Sequence, residues 1–504
     1  MRDQRSRPDR HFTAMKRLFS IITLLVAAAW NTPAADRPNV VFIVADDLGW
    51  SDTTLYGTTT FYETPNLERL AKRGMTFTRA YAVSPLCSPT RASLLTGLHP
   101  ARHGITTPGC HAPEEHLKAW SLPNGPAPSK VTTCKSATRL DTTYRTLAEA
   151  LKEAGYATGH FGKWHLGPEP FSPLQQGFDV DLPHTPTAGP PGGYFGWSTE
   201  TMKPNTPREH VEDRMAAEAC DFMEQHRDGP FFLNYWQFSV HSPFQAKGPL
   251  IQKFRKRVDP KSPQRSPTYA AMVETFDDAV GRLLDTLDRL EIADRTLVVF
   301  TSDNGGNMYN KIDGATPTSN RPLRGGKGTL WEGGVRVPCV VVWPGETSPG
   351  SRSEALIDSC DFFPTLLELL ALKPPPDQRF DGVSFVPALR GQPFERGAIF
   401  SYFPHALPLP DGLRPAITIH EGDWKLYRFF HNGDNGAHQW RLYHLMEDEG
   451  ERRDLAAEHP DRVAEMDAKI EAFLKQTEAV TPRPNPDFVP REKRVRPGAR
   501  ESAP

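Results

Sequence analysis

An α/β fold, with a large mixed but mostly parallel sheet flanked by helices and a smaller antiparallel domain after it, is what three features of this 504-residue chain predict. Short apolar runs alternate with amphipathic helical stretches, the signature of βαβ units whose sheet is covered on both faces. The first of the interior runs, residues 40–45, is continuously apolar and rich in β-branched residues, as a strand buried on both sides is. Beyond about residue 390 the rhythm changes to short aromatic strands.

The elements follow in order. An apolar run over 18–29, behind Lys16 and Arg17 and ahead of Ala34 and Ala35, has the pattern of a cleaved export signal, with Met15 as a candidate start. It is too short to span a bilayer, which takes about 20 apolar residues. Residues 144–154 carry Leu147 and Leu151 at helical spacing and end at Gly155, a helix stop; 157–161 then reads as a strand. Residues 231–240 read as another strand. Over 268–290, Met272, Val273, Phe276, Val280, Leu283, Leu284 and Leu287 share one helical face, and 296–301 returns to strand. The later aromatic strands include Trp424-Lys425-Leu426-Tyr427 and Leu442-Tyr443-His444-Leu445, followed by a helix over 463–475. From Thr481 the chain is rich in Pro and Arg without apolar periodicity, which reads as disorder.

Composition bounds the partners. Hydrophobic residues make up 38% of the chain, enough for a core of ordinary depth over two domains. Lys and Arg number 59 against 61 Asp and Glu, a net charge of -2, so nothing global steers the protein to nucleic acid or an anionic membrane. Export to a secreted or periplasmic location permits disulfides among the six cysteines, Cys87, Cys110, Cys134, Cys220, Cys339 and Cys360. Cys110 and Cys134 share one loop-like segment and are the candidate pair. Cys339, inside an apolar run, reads as a buried strand residue.

The chemistry starts where strands stop. Asp46 and Asp47 stand side by side at the end of the first strand, where open parallel sheets form their ligand crevices. Adjacent carboxylates repel unless a cation neutralises them, so the pair suggests a hard metal, or otherwise a solvated turn. Asp303 and Asn304 follow the apolar run 297–300 and add two oxygen donors, with Gly305 and Gly306 allowing close backbone approach; Asn-Gly also makes ordinary turns. Between these clusters lies Cys87-Ser88-Pro89-Thr90-Arg91-Ala92-Ser93-Leu94-Leu95-Thr96-Gly97. Ser88 suits an N-cap and Pro89 the first helical position, which puts Cys87 at the positive end of a helix, with Arg91 one turn in as a fixed cation for an anionic group. A buried structural cysteine is the alternative.

Cys-x-Pro-x-Arg followed by Leu-Thr-Gly resembles the signature of the formylglycine-dependent sulfatases, arylsulfatase-like members of the alkaline phosphatase superfamily. The resemblance runs from Asn39 to about Leu455. It includes Gly162-Lys163-Trp164-His165-Leu166-Gly167, His241-Ser242-Pro243, Arg324-Gly325-Gly326-Lys327, Trp331-Glu332-Gly333-Gly334, and Asp454-Leu455-Ala456 after the 442–445 strand. It implies an alkaline phosphatase-like fold and a sulfuric ester hydrolase, in which Cys87 is oxidised to formylglycine (3-oxoalanine) by a maturation enzyme. It makes Asp46, Asp47, Asp303, Asn304 and the residue derived from Cys87 ligands of one calcium ion. Arg91 then stabilises the hydrated aldehyde, Lys163 and Lys327 hold sulfate oxygens, His241 serves the leaving group and His165 the aldehyde side.

The implied organisation is a signal peptide over 1–35, a catalytic sulfatase domain over 36–390, a smaller α+β domain over 391–480 and a disordered tail over 481–504. Two long stretches, a polar insert over 109–139 and the Pro- and Gly-rich 183–207, are expected to shape the substrate pocket. The expected substrate is a sulfated carbohydrate or an aryl sulfate, without nucleic acid and without a membrane span. Two other readings stand beside it: a phosphonate or phosphate monoester hydrolase of the same superfamily, and a non-catalytic glycan-binding protein.

Overall fold

The computed structural model describes residues 37–410, 412 and 414–490. The expected export signal, 1–35, and the last part of the tail, 491–504, lie outside the described residues. In chain order the strands of the first region are β1 (Asn39–Ala45), β2 (Met75–Tyr81), β3 (Trp120–Ser121), β4 (Cys134–Lys135), β5 (Ala157–Gly162), β6 (Val180–Leu182), β7 (Phe231–Trp236), β8 (Thr296–Ser302), β9 (Arg336–Val342), β10 (Ser351–Ser353) and β11 (Ile357–Asp358). All but β3 and β4, which pair with each other, build one sheet in the order β10-β2-β9-β8-β1-β7-β5-β6, with β11 also on β2. The central strand β1 runs parallel to both β7 and β8, and β5 is parallel to β6 and β7. Strand β9 alone among the long strands is antiparallel to its neighbours, β8 and β2.

Strand β1 shows why the sheet is central. All seven of its residues are buried. Side chains of a strand alternate between faces, so Val41 and Ile43 enter one core while Val40, Phe42 and Val44 enter the other. The first core is closed by the helices Val211–Gln225 and Pro267–Arg289, with Met215, Phe222, Met272, Phe276 and Leu283 facing the sheet. The second is closed by the helices Cys87–Thr96, Leu147–Glu153 and Phe362–Leu369, through Leu94, Leu95, Leu147, Leu151 and Leu366. Helix starts follow local chemistry. Ser266 Oγ accepts from Tyr269 N at 3.2 Å ahead of Pro267, and Thr146 and Glu149 cap each other reciprocally at 3.1 and 2.9 Å.

The second region holds the antiparallel strands β12 (Ile399–Phe403), β13 (Ala416–Glu421), β14 (Trp424–Phe429) and β15 (Gln439–His444), paired in that order. One face packs on Met466, Ile470 and Leu474 of the helix Pro460–Gln476. The other packs on Tyr81, Leu330 and Trp331 of the first region. Glu332 crosses that seam, accepting from Tyr81 Oη at 2.9 Å and Lys425 Nζ at 2.9 Å, with His420 Nε2 at 3.0 Å.

Three expectations are corrected. Strand β7 stops at Trp236 rather than residue 240, because Tyr194 Oη takes the Phe238 carbonyl at 2.7 Å and Asp46 N takes that of Ser239 at 2.9 Å. The candidate disulfide is absent: Cys110 and Cys134 are both free, buried thiols, and Cys134 Sγ donates to the Val480 carbonyl at 3.2 Å. The expected disorder does not begin at Thr481. Residues 481–490 strap the 109–139 insert through Thr132 N to Arg483 O at 2.8 Å, Asn485 N to Lys130 O at 2.9 Å and Val489 N to Ala127 O at 2.9 Å. The Asn485 side chain adds bonds to Gly125 N at 3.0 Å and the Ser129 carbonyl at 2.9 Å. Backbone and amide bonds of this kind order a segment without any apolar period.

Candidate active site

Parallel strands bring their carboxyl ends to one edge, and the expected site residues collect there. Asp46 and Asp47 follow β1, Lys163 and His165 follow β5, His241 lies five residues past β7, and Asp303 and Asn304 follow β8. The helix Cys87–Thr96 points its N-terminus at the same place, with Cys87 in its first turn and Arg91 one turn further. Ser88, expected as its N-cap, instead donates through Oγ to the His165 carbonyl at 2.8 Å, and the cap position is Leu86. Lys327 arrives on the loop before Trp331. Asp47 and His165 hold left-handed backbone conformations, φ 63° and 57°, uncommon for residues with a Cβ and characteristic of over-determined sites. Gly305 is required as glycine: a Cβ there would lie 1.9 Å from the Gly333 carbonyl oxygen, so the two loops touch backbone to backbone.

Three carboxylates face three fixed cations, all but Lys327 fully buried. Lys163 Nζ bonds Asp46 Oδ2 at 2.6 Å and Lys327 Nζ bonds Asp47 Oδ2 at 2.7 Å. Arg91 donates through Nε to Asp303 Oδ2 at 2.9 Å and through Nη1 to the Lys163 carbonyl at 2.9 Å, while its guanidinium lies 5.2 Å from the Trp236 ring centroid. Asn304 Nδ2 donates to Asp47 Oδ1 at 2.9 Å, and Asp47 N to Asp303 Oδ1 at 3.1 Å. Burial pushes Asp303 up to about 6 with help from Asp46, against Arg91 and Lys163. For Asp47 burial acts upward too, but Lys327, His241 and Lys163 outweigh it and hold the carboxyl well below the usual range. Charges this close in a dry site are coupled strongly, and removing one leaves its partner unpaired.

Two buried oxygens in this cluster, Asp46 Oδ1 and Asn304 Oδ1, have no hydrogen-bond partner. Buried polar atoms are rarely left so, and hard oxygens converging from two strand ends fit a divalent cation with a taste for oxygen. Ligand atoms of Asp46, Cys87 and Asp303 lie within 4.8 Å of one another, as do those of Asp46, Asp47 and His241. A dication added to three carboxylates and three cations leaves net positive charge, which an anionic ester group can occupy.

The histidines differ. His165 Nδ1 lies 3.4 Å from Cys87 Sγ, whereas His241 Nε2 lies 3.9 Å from Asp47 Oδ2, with Nδ1 2.6 Å from the Ser242 carbonyl oxygen. Burial and then Lys327 and Lys163 bring His241 down to about 3, and burial with Lys163 brings His165 well below its ordinary value. Both rings are therefore neutral near pH 7 and each is able to take up or pass on a proton. Burial also raises the Cys87 thiol above its usual range despite Lys163 and Lys327, which leaves the unmodified side chain protonated and a poor nucleophile.

The structure brings the ten expected residues to one edge of the sheet and sets beside them a residue the sequence did not single out. His111, in the polar insert, places Nδ1 2.9 Å from His165 Nε2. The insert was singled out as pocket-forming, but an isolated histidine in a polar loop carries no pattern. In the stretch 183–207, residues including His184, Thr185 and Thr199 line, with Trp164 and Gly167, a cavity of about 580 Å³ whose walls include none of the ten clustered residues. A Cβ on Gly189 would lie 3.5 Å from His241 Nδ1, so this stretch also passes the second histidine. Among the described residues no helix is long and apolar enough to cross a membrane.

Known proteins match this arrangement. The sulfatase family model matches residues 38–372, and the model for the C-terminal region of N-sulphoglucosamine sulphohydrolase matches 326–479. N-acetylgalactosamine-6-sulfatase of Mus musculus is 35% identical over 423 residues, covering 77% of this chain and 73% of that protein. Arylsulfatase A of Homo sapiens is 35% identical over 438 residues, covering 81% and 78%. The solved structure of Ps i-CgsB in complex with k-i-k-neocarrahexaose superposes with a TM-score of 0.69 at 27% identity, over 87% of this chain and 93% of that one. The architecture is that of the alkaline phosphatase-like sulfatases. A strand-end constellation of acids, fixed cations and neutral histidines, on a chain matched over its length by sulfatases, makes the protein a sulfuric ester hydrolase of the sulfatase family.

Proposed function

We propose that this enzyme removes sulfate from a sulfated carbohydrate, using residue 87 in its formylglycine form and one calcium ion, after export to a secreted or periplasmic location. The carbohydrate reading is supported by what two similar proteins are named for, N-acetylgalactosamine-6-sulfatase and Ps i-CgsB with its neocarrahexaose. Maturation of Cys87 requires a formylglycine-generating enzyme of the host.

The observation that carries the reaction is the separation of the two neutral histidines, one against residue 87 and one beside Lys327 and Asp47. Residue 87 in its formylglycine form would offer a hydrate hydroxyl as the nucleophile, and Asp46, Asp47, Asp303, Asn304 and residue 87 would hold a calcium ion that supplies positive charge beside it. Lys163 and Lys327 orient the sulfate group and offset its developing charge. His241 passes to the departing sugar oxygen a proton drawn from the Lys327 ammonium, which faces the same Asp47 carboxylate. His165 takes the proton that residue 87 gives up when sulfate is released. Arg91 holds Asp303 and the first turn of the nucleophile helix in register.

A screen of sulfate release from defined sulfated oligosaccharides, run beside an aryl sulfate and an aryl phosphate, tests the proposal. Release from at least one oligosaccharide, faster than from the aryl phosphate, is expected. Phosphate release outpacing sulfate release on matched aryl esters would overturn it in favour of a phosphoester hydrolase.

A further inference from the structure

We infer that His111 is a positioning residue for His165 and connects that buried ring to solvent. The inference rests on the proposed roles of residue 87 and His165. His165 Nδ1 faces Cys87 Sγ at 3.4 Å and its Nε2 faces His111 Nδ1 at 2.9 Å, with ring centroids 5.1 Å apart. His165 is fully buried, whereas His111 is exposed. A base acting on residue 87 must present the Nδ1 lone pair, which puts its hydrogen on Nε2, and His111 Nδ1 is the acceptor within reach of it. Ring orientation and tautomer are thus set together, as outer partners do for working histidines elsewhere.

A proton taken up at His165 Nδ1 would place positive charge beside Lys163 and Arg91 in a buried site, and the Nε2 hydrogen bond to His111, whose ring reaches solvent, is the contact able to share it.

His111 is held for this task by its own support. The Arg139 guanidinium donates to the Cys110 carbonyl at 3.2 Å and the Ala112 carbonyl at 2.9 Å, clamping the backbone on both sides of His111. Leu140 N then bonds the Leu166 carbonyl at 2.8 Å, tying the end of the insert to the segment that carries His165. A Cβ on Gly167 would come within 2.9 Å of Arg139 Cδ, so the two segments pack without a spare methyl between them.

The test uses the full, matured chain with His111→Ala, His111→Gln and Arg139→Lys, assayed on an activated aryl sulfate and on a sulfated oligosaccharide that the wild type desulfates. Losing an outer partner of a working histidine is expected to lower kcat about 10–100-fold with KM little changed, by the same factor on both substrates. Mass spectrometry during turnover should find sulfate accumulating on residue 87 of His111→Ala. Added imidazole should restore part of its rate, because the site of His111 is open to solvent. His111→Gln, whose amide oxygen can accept from Nε2, should retain more activity than the alanine variant, and Arg139→Lys should fall between wild type and His111→Ala. Wild-type kcat in His111→Ala, a loss confined to KM, or a loss without trapped sulfate and without imidazole rescue overturns the inference alone. Absence of sulfate release by the wild type overturns the proposed function and this inference with it.

Discussion

The strand-end cluster and the 109–139 insert meet at His165, yet they are held by opposite kinds of interaction. Asp46, Asp303, Arg91 and Lys163 are fully buried and joined by direct ion pairs, three of them just past the ends of parallel strands and Arg91 on the helix that faces them. The insert is exposed mainly over 111–128, its own ladder β3–β4 is two residues long on each side, and the C-terminal strap holds it by backbone and amide bonds. The cluster has to be fixed before substrate arrives, since charges in a dry site do their work only when no reorganisation is needed. The insert has only to present one ring and shape an entrance, so marginal local stability suffices there. Chemistry and its access are therefore separately adjustable in this protein.

Breaking the buried side should give the largest effects. Cys87→Ala is expected to fold normally and lose turnover by on the order of 10⁶-fold, the scale seen when a nucleophile is deleted. Peptide mass spectrometry of active wild type should show an aldehyde at residue 87; fully active protein carrying only thiol there would sink the nucleophile assignment. Exhaustive chelation comes next. Activity should fall to background and return with calcium, and the unfolding midpoint should drop on chelation because a ligand that binds only the folded state stabilises it, by about 2.7 kcal/mol at a hundred times its Kd. Full activity with no bound metal would mean that the two unpartnered oxygens have another explanation.

His241→Ala sharpens the comparison inside the buried cluster. General acid catalysis is typically worth about 10²–10⁴-fold, so the variant should lose about that much on a sugar sulfate, whose alkoxide leaves poorly. It should lose far less on an activated aryl sulfate. Equal losses on both, with chemistry rate-limiting, would move the acid to another residue. The smallest effects belong to the insert. Ending the chain after Val480 removes the strap, and each net hydrogen bond lost is worth about 0.5–1.5 kcal/mol. Limited proteolysis should then cut within 109–139 faster, while kcat falls only several-fold and the main unfolding transition stays close to wild type. A collapse of activity to the level of Cys87→Ala would show that the insert is part of the rigid machinery after all.

Much of this molecule was legible from residues alone, because its signals are local. The continuous apolar run of β1 and the stripe from Met272 to Leu287 each declare an element from a few neighbouring side chains. Acids and glycines placed where an apolar run ends mark the crevice of a parallel sheet, and so Asp46, Asp47, Asp303 and Asn304 could be grouped before any geometry was known. Lys163, His165, His241 and Lys327 came instead from the resemblance of the ordered motifs to the sulfatase family.

Tertiary structure alone decided the remainder, and in each case the partners are far apart in sequence without a pattern between them. His111 meets His165 across 54 positions, Asn485 fills a gap in the insert 360 positions from Gly125, and Cys134 bonds Val480 rather than Cys110. The pairing of Arg91 with Asp303 and of Lys163 with Asp46 likewise depends on which strand ends the sheet sets side by side. Hydropathy and spacing report how a segment sits against its immediate neighbours, so they fix elements and the edge where ligands bind. Single polar contacts between distant loops depend on how those elements pack, and only the folded chain determines them.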